Sequence, residues 1–110
     1  MTLRFRKINK DIFDAIKSGK KKVETRAATT RYLKIHAGDI VTFICGEKRF
    51  SKKITRVKIF KTIQSMLKQY KPKAINPKAK TPKDLLEIYY SFPGYKEKIK
   101  KYGIVALELE

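Results

Sequence analysis

The chain holds one cysteine, Cys45, one histidine, His36, and no tryptophan. A single thiol cannot form an internal disulfide, and one thiol with one imidazole cannot build a Cys- or His-based metal cage. No metal and no cofactor are therefore expected, and a reducing, cytoplasmic setting is the default. Cys45 ends an apolar run, where a thiol serves as a small core residue rather than a nucleophile. His36, two residues before Gly38, reads as a surface side chain. No apolar run approaches the roughly 20 residues that span a bilayer. Met1 to Arg6 lacks the continuous apolar stretch of a secretory signal. A membrane partner is not expected. Neither a Gly-rich phosphate loop nor a Ser-His-Asp order is present.

Acidic residues are also scarce. Ten Asp and Glu face 28 Lys and Arg, a formal charge of +18. Such a field draws in polyanions and speeds their association. The excess is uneven: from Glu47 to Asp84 no acid intervenes, yet thirteen cations do. Among them are Lys52, Arg56, Lys58, Lys73 and Lys78. A bias toward lysine, including adaptation to heat, is the alternative source of this charge, and Lys does outnumber Arg by 22 to six. A surface charged for solubility alone would mix both signs, however. At 110 residues and 42% apolar content, the chain suits one globular domain, residues 1–110, with one modest core.

Periodicity supplies the elements. Thr2 to Ile8 alternates as a half-buried strand, and Asn9 is placed to cap a helix over Lys10–Ser18 that Gly19 stops. Lys21–Ala28 reads as a second strand. Asp39–Cys45 is apolar on both faces and reads as central in the sheet. After a Gly46-Glu47-Lys48 loop, Arg49–Phe60 returns as a long strand. On it Val57 and Ile59 point one way, and Lys52, Arg56 and Lys58 the other. Thr62–Tyr70 reads as helical, and Lys71–Lys80 as a basic, Pro-containing loop. Thr81 and Pro82 open a helix packed through Leu85, Leu86, Ile88 and Tyr89. Phe92-Pro93-Gly94 stops it, a lysine-rich connection follows, and Ile104–Leu109 forms the last strand. Strands joined by short turns favour a mixed or antiparallel sheet over a doubly wound parallel one. The class is α+β, a small curled barrel with flanking helices. Tyr90 falls beyond the apolar face of its helix and is the best candidate for base stacking.

The most informative stretch is Ser18 to Arg26. On a strand of period two, Lys22, Glu24 and Arg26 share one face, with Lys21 at the strand's mouth. A Glu flanked by Lys and Arg stays ionised. Spacing alone would make these a surface ion-pair row. The pattern Gly-x-Lys-x-x-Glu-x-Arg, here Gly19, Lys21, Glu24 and Arg26, resembles the signature of ASCH domains. Gly38-Asp39, Phe92-Pro93-Gly94-Tyr95 and Tyr102 to Leu109 are similar to further marks of that family, in the same order. The resemblance covers nearly the whole chain. It implies a PUA-like pseudo-barrel, a cleft beside the motif strand and a role in RNA binding. Some small relatives hydrolyse the amide of N4-acetylcytidine with a Lys and a Thr from this strand and a Glu before the last helix. Lys21 matches that Lys, but Glu24 stands where the Thr would be. Asn76 to Thr81 contains no acid, so the activity does not carry over.

The leading expectation is a non-catalytic, monomeric RNA-binding domain, with single-stranded DNA or a nucleotide as related ligands. Lys21, Lys22, Glu24 and Arg26 would form the cleft, with Glu24 accepting from a base amino group. Lys52, Arg56, Lys58, Lys73 and Lys78 would hold phosphates, and Tyr90 would stack. The alternative is a hydrolase of a modified nucleoside or of RNA, using Lys21 and Glu24. A third reading is an interaction module whose charge reflects only its host.

Overall fold

The computed structural model describes residues 1–110. Five strands form one curled mixed sheet: β1 (Thr2–Arg4), β2 (Val23–Ala27), β3 (Ile40–Cys45), β4 (Lys48–Phe60) and β5 (Ile104–Leu109). Their order is β1-β3-β4-β5-β2. β1 runs parallel to β3 and every other pair is antiparallel. The helices are α1 (Lys10–Ser18), α2 (Ile63–Met66), α3 (Pro72–Ile75), α4 (Pro82–Ser91) and α5 (Tyr95–Tyr102).

Apolar clusters cover the α1 side of the sheet and the β4-β5-β2 half of its other face. One apolar cluster joins Leu3, Phe13, Ile16, Val41, Phe43, Ile54, Val105 and Leu107 beneath α1. The other joins Val23, Phe60, Ile63, Met66, Leu85, Tyr89, Ile99 and Ile104 beneath α2 to α5. β5 alternates between them, with Val105, Leu107 and Leu109 in the first and Ile104 and Ala106 in the second. A strand buried on both faces reads as a continuous apolar run, which is why Ile104–Leu109 was bounded correctly from sequence. β3 lies inside the sheet, between β1 and β4, and β4 is the middle strand of the five.

Local chemistry explains most boundaries. Gly19 takes the left-handed conformation that ends α1. Thr81 accepts from the Asp84 N–H while Asp84 accepts from the Thr81 N–H, so α4 opens on a capping box with Pro82 in its first turn. Asn9 does not cap α1 with its side chain. A 3-10 turn over Lys7–Asn9 runs straight into the helix, and the Lys10 N–H already finds the Lys7 carbonyl. This turn also shortens the first strand to Thr2–Arg4. The stretch Lys71–Lys80 is not a free loop: it holds α3 and buries Ile75 and Ala79. α2 is a single turn, capped by Thr62.

The largest departure lies in β4. Ile54 pairs with Leu109, but Arg56 pairs with the very next residue of β5, Glu108. Two residues therefore oppose one, as in a β-bulge, and the strand changes parity there. Lys52, opposite the buried Val41, shares the face of Ile54, whereas Arg56 and Lys58 share the opposite face with Glu108 and Ala106. The three cations do not form one row, because the added residue breaks the period of two.

Gly103 closes α5 at φ 81° and ψ −161°, a region essentially reserved for glycine. A Cβ built there would stand 2.3 Å from the Phe60 carbonyl oxygen. Gly103→Ala is expected to cost more than about 2 kcal/mol, from backbone strain and displacement of β4. Chemical denaturation would measure it; a loss below about 1 kcal/mol would show that this approach is easily relaxed.

Candidate functional site

β2 pairs only with β5, so its other edge is open. Along that edge lies a cavity of about 430 Å³ that wraps from one face of the strand to the other. Its walls come from the segment after β1 (Phe5, Arg6, Asn9), from β2 (Glu24, Thr25, Arg26), from α4 (Leu85, Ile88, Tyr89) and from Phe92, Pro93 and Tyr95. Arg4 and Lys78 stand on its rim and Lys21 lies within it.

Side chains satisfy the edge where a neighbouring strand would have done so. The Thr25 N–H donates to Glu24 Oε1 at 3.2 Å and the Ala27 N–H to the Tyr95 hydroxyl at 3.3 Å. The Val23 carbonyl accepts from Lys21 Nζ. These devices also keep a foreign strand from pairing there.

Glu24 is the hub. It is 5% exposed, and Lys21 beside it only 2%. Lys21 Nζ lies 2.9 Å from Glu24 Oε1. Arg26 reaches Oε2 through Nε at 3.2 Å and Nη2 at 3.1 Å. With the Thr25 N–H, four donors fill the four lone-pair positions of the carboxylate. Burial pushes the Glu24 carboxyl up, but the charges and hydrogen bonds of Lys21 and Arg26 outweigh it and hold its pKa below the ordinary value. Burial likewise disfavours the Arg26 cation, and Glu24 more than compensates. The guanidinium has spent two of its five N–H groups, and its side chain is 23% exposed. It also sits 5.1 Å from the centroid of Phe5, which joins the β1 end of the curl to β2.

On the other face of β2, Thr25 shares a hydrogen bond with the Tyr89 hydroxyl. Burial pushes the Tyr89 hydroxyl up. Tyr89 stacks on Tyr95, ring centroids 6.4 Å apart, and Phe92 meets Tyr95 edge-on.

Of the residues singled out from sequence, Lys21, Glu24, Arg26 and Lys78 border the cavity. Lys78 also pairs with Asp11 at 2.9 Å. Lys22, Lys52, Arg56, Lys58, Lys73 and Tyr90 lie outside it. Lys22 and Lys21 exchange the expected positions. The Lys21 N–H bonds back to the Ala15 carbonyl, the strand starts only at Val23, and Lys21 turns inward while Lys22 is exposed. Glu24 has no lone pair left for a ligand's amino group. Tyr90 is 45% exposed beneath Lys96, and its neighbour Tyr89 is the aromatic that α4 delivers to the cavity. Thr25 was not picked out, Tyr95 entered only within the Phe92 to Tyr95 family mark, and Phe5 and Arg4 were not picked out. The signal that could have found the first two is the open edge of β2, which alternation within one strand does not reveal.

A curled mixed half-barrel with helices on its flanks and a cavity beside the motif strand is a PUA-like architecture. The ASCH domain model matches residues 7–110, and the chain belongs to the ASCH domain family. The crystal structure of the hypothetical protein PH0355 is similar over 100% of this chain and 98% of its own, with 29% identity and a TM-score of 0.83. The solution NMR structure of protein PF0455 from Pyrococcus furiosus is similar over 100% of this chain and 96% of its own, with 26% identity and a TM-score of 0.75. No curated protein matches the chain. No helix is long and apolar enough to cross a membrane.

The depressed pKa of Glu24 carries a sign. A carboxylate favoured in the fold adds stability above its unfolded pKa of about 4, and that stability is lost as pH falls toward the folded value. Melting temperature is expected to hold down to about pH 5 and then fall as the pH drops below about 4. Glu24→Gln should lower it at neutral pH and flatten the acid limb. An acid limb equally steep in wild type and Glu24→Gln would assign the effect to other carboxylates.

Proposed function

We propose that this domain binds RNA, taking one unpaired nucleotide into the cavity beside β2 while surface cations hold the adjoining phosphates. The observation that carries the reading is the buried Lys21–Glu24–Arg26 set, which has a net positive charge and whose most open member is Arg26. Glu24 positions the guanidinium, and its planar fork can grip a phosphate or a base edge at two points. Phe5, Phe92 and Tyr95 offer apolar walls to a base, and Arg4, Arg6 and Lys78 meet the negative charge that accompanies it. The family's general association with RNA agrees with this reading.

The surface charge supports it independently. Only four of the 28 cations, Lys10, Lys21, Arg26 and Lys78, take part in ion pairs. The remaining field is free for a polyanion. A hydrolase on the same residues is less well supported, because a carboxylate saturated with donors and held at low pKa is a weak base.

If about four to six phosphates are held, log affinity for RNA should fall against log salt with a slope of about −3 to −5. Fluorescence anisotropy at several salt concentrations measures it, and a flat response would exclude the reading. Arg26→Lys keeps the charge but loses the fork. It is expected to weaken the preferred RNA by about 1–3 kcal/mol and poor RNAs much less. Arg56→Ala should weaken all RNAs alike. Equal behaviour of the two variants, each checked for native melting, would mean that charge alone accounts for binding. Purified protein should leave N4-acetylcytidine intact; deacetylation abolished in Lys21→Ala would establish the hydrolase instead.

A further inference from the structure

The strand register leaves half of one sheet face without a helix over it. On the face opposite the α1 core, β1 presents Thr2 and Arg4, β3 presents Ile40, Thr42 and Ile44, and β4 presents Arg49, Ser51 and Lys53. Thr2, Arg4, Ile40, Arg49, Ser51 and Lys53 are exposed, Thr42 is half-buried and Ile44 is buried. Across the strands these residues stand in rows, Arg4–Ile44–Arg49, Thr2–Thr42–Ser51 and Ile40–Lys53. Thr42 and Ser51 share a 3.0 Å hydrogen bond. The bulge after Ile54 then turns Arg56 onto this same face. Without it Arg56 would point to the α1 side.

Three features give the face a chemical preference. It carries cations and hydroxyls, and none of Arg4, Arg49, Lys53 or Arg56 is in an ion pair. Its acids lie only at the β5 end. Glu108, opposite Arg56, accepts from the Tyr70 hydroxyl at 2.6 Å, and Glu110 follows Leu109. Finally, the face begins where the cavity ends, since Arg4 belongs to both. Arg4 and Arg49 lie two strand spacings apart, about 10 Å, and Arg49 and Lys53 are separated by about 13 Å along β4.

We infer that this open face is the track of a single-stranded RNA, whose backbone leaves the cavity at Arg4 and crosses the sheet over Arg49 and Lys53. The inference rests on the reading that the cavity holds one nucleotide. A strand with one base withdrawn into a cavity at the sheet edge has no pairing partner there, so its continuation reaches the face as a single strand. Arg49 and Lys53, about 13 Å apart, hold two phosphates that are not adjacent along the strand, and Thr42 and Ser51 offer hydroxyls to the sugars between them.

The test uses the whole chain with two probes, a random-sequence single-stranded RNA octamer and a mixture of the four ribonucleoside monophosphates. Arg49→Glu with Lys53→Glu reverses charge on the face. Lys98→Glu with Lys101→Glu makes the same change on exposed positions of α5. The expected result is at least a tenfold loss of octamer affinity in the face variant, against two- to threefold in the control. Its salt slope should be shallower by about 1.4, the share of two lost phosphate contacts. Monophosphate binding stays unchanged in both variants. Equal losses in both, or no loss in the face variant, would overturn the track while leaving the cavity reading intact. An RNA duplex losing the same factor would overturn the single-strand assignment. Failure of wild-type protein to bind monophosphates at millimolar concentration, with octamer affinity falling equally in both variants, would overturn both readings.

Discussion

A buried carboxylate between two cations holds the motif strand in place. Glu24 has almost no access to water, and an ionised carboxylate in such a position is tolerable only if donors replace its hydration. Lys21, Arg26 and its neighbour's peptide N–H do so. The same contacts settle the open edge of β2, aim the guanidinium of Arg26 into the cavity and bring it over Phe5, where the curl of the sheet returns toward its other end. Removal of one partner would leave the others charged and unpaired, which costs far more than the loss of a surface bridge.

Charge acts at two levels in this molecule. Inside, every charge is paired: one carboxylate meets two cations, and no buried polar side-chain atom lacks a partner. Outside, it is left unpaired almost everywhere, which is costly through self-repulsion and attracts polyanions. On the proposed reading, the cavity supplies selectivity and the surface affinity, the usual separation between contacts that specify and contacts that position.

The sequence was legible where local chemistry decides. Gly19 as a helix stop, the Thr81-Pro82-Asp84 start and the doubly buried Ile104–Leu109 follow from conformational preference, capping and hydropathy. The Gly19, Lys21, Glu24, Arg26 spacing led to the right family and the right strand. What remained hidden depends on partners distant in sequence. A bulge in β4 is set by its pairing with β5, so Lys52 was placed with Arg56 although they lie on opposite faces. Lys21 turns inward because of a bond to Ala15 and a carboxylate already buried, which a period of two cannot express. Asn9 looked like a cap because the 3-10 turn that it ends is invisible to pattern. Tyr90 was favoured over Tyr89 because stacking was sought on an exposed ring, whereas the cavity lies under the buried face of α4.

On the proposed reading, the domain meets its ligand at Arg26, held by Glu24 at the open edge of β2. The most direct measurement is an NMR titration that follows the arginine side-chain N–H signals as single-stranded RNA is added. Arg26 Nη signals are expected to shift early and saturate with the backbone amides of Thr25 and Arg26, while Arg26 Nε–H, committed to Glu24, moves little. Shifts confined to surface lysines and arginines, with Thr25 and Arg26 unmoved at saturation, would contradict it.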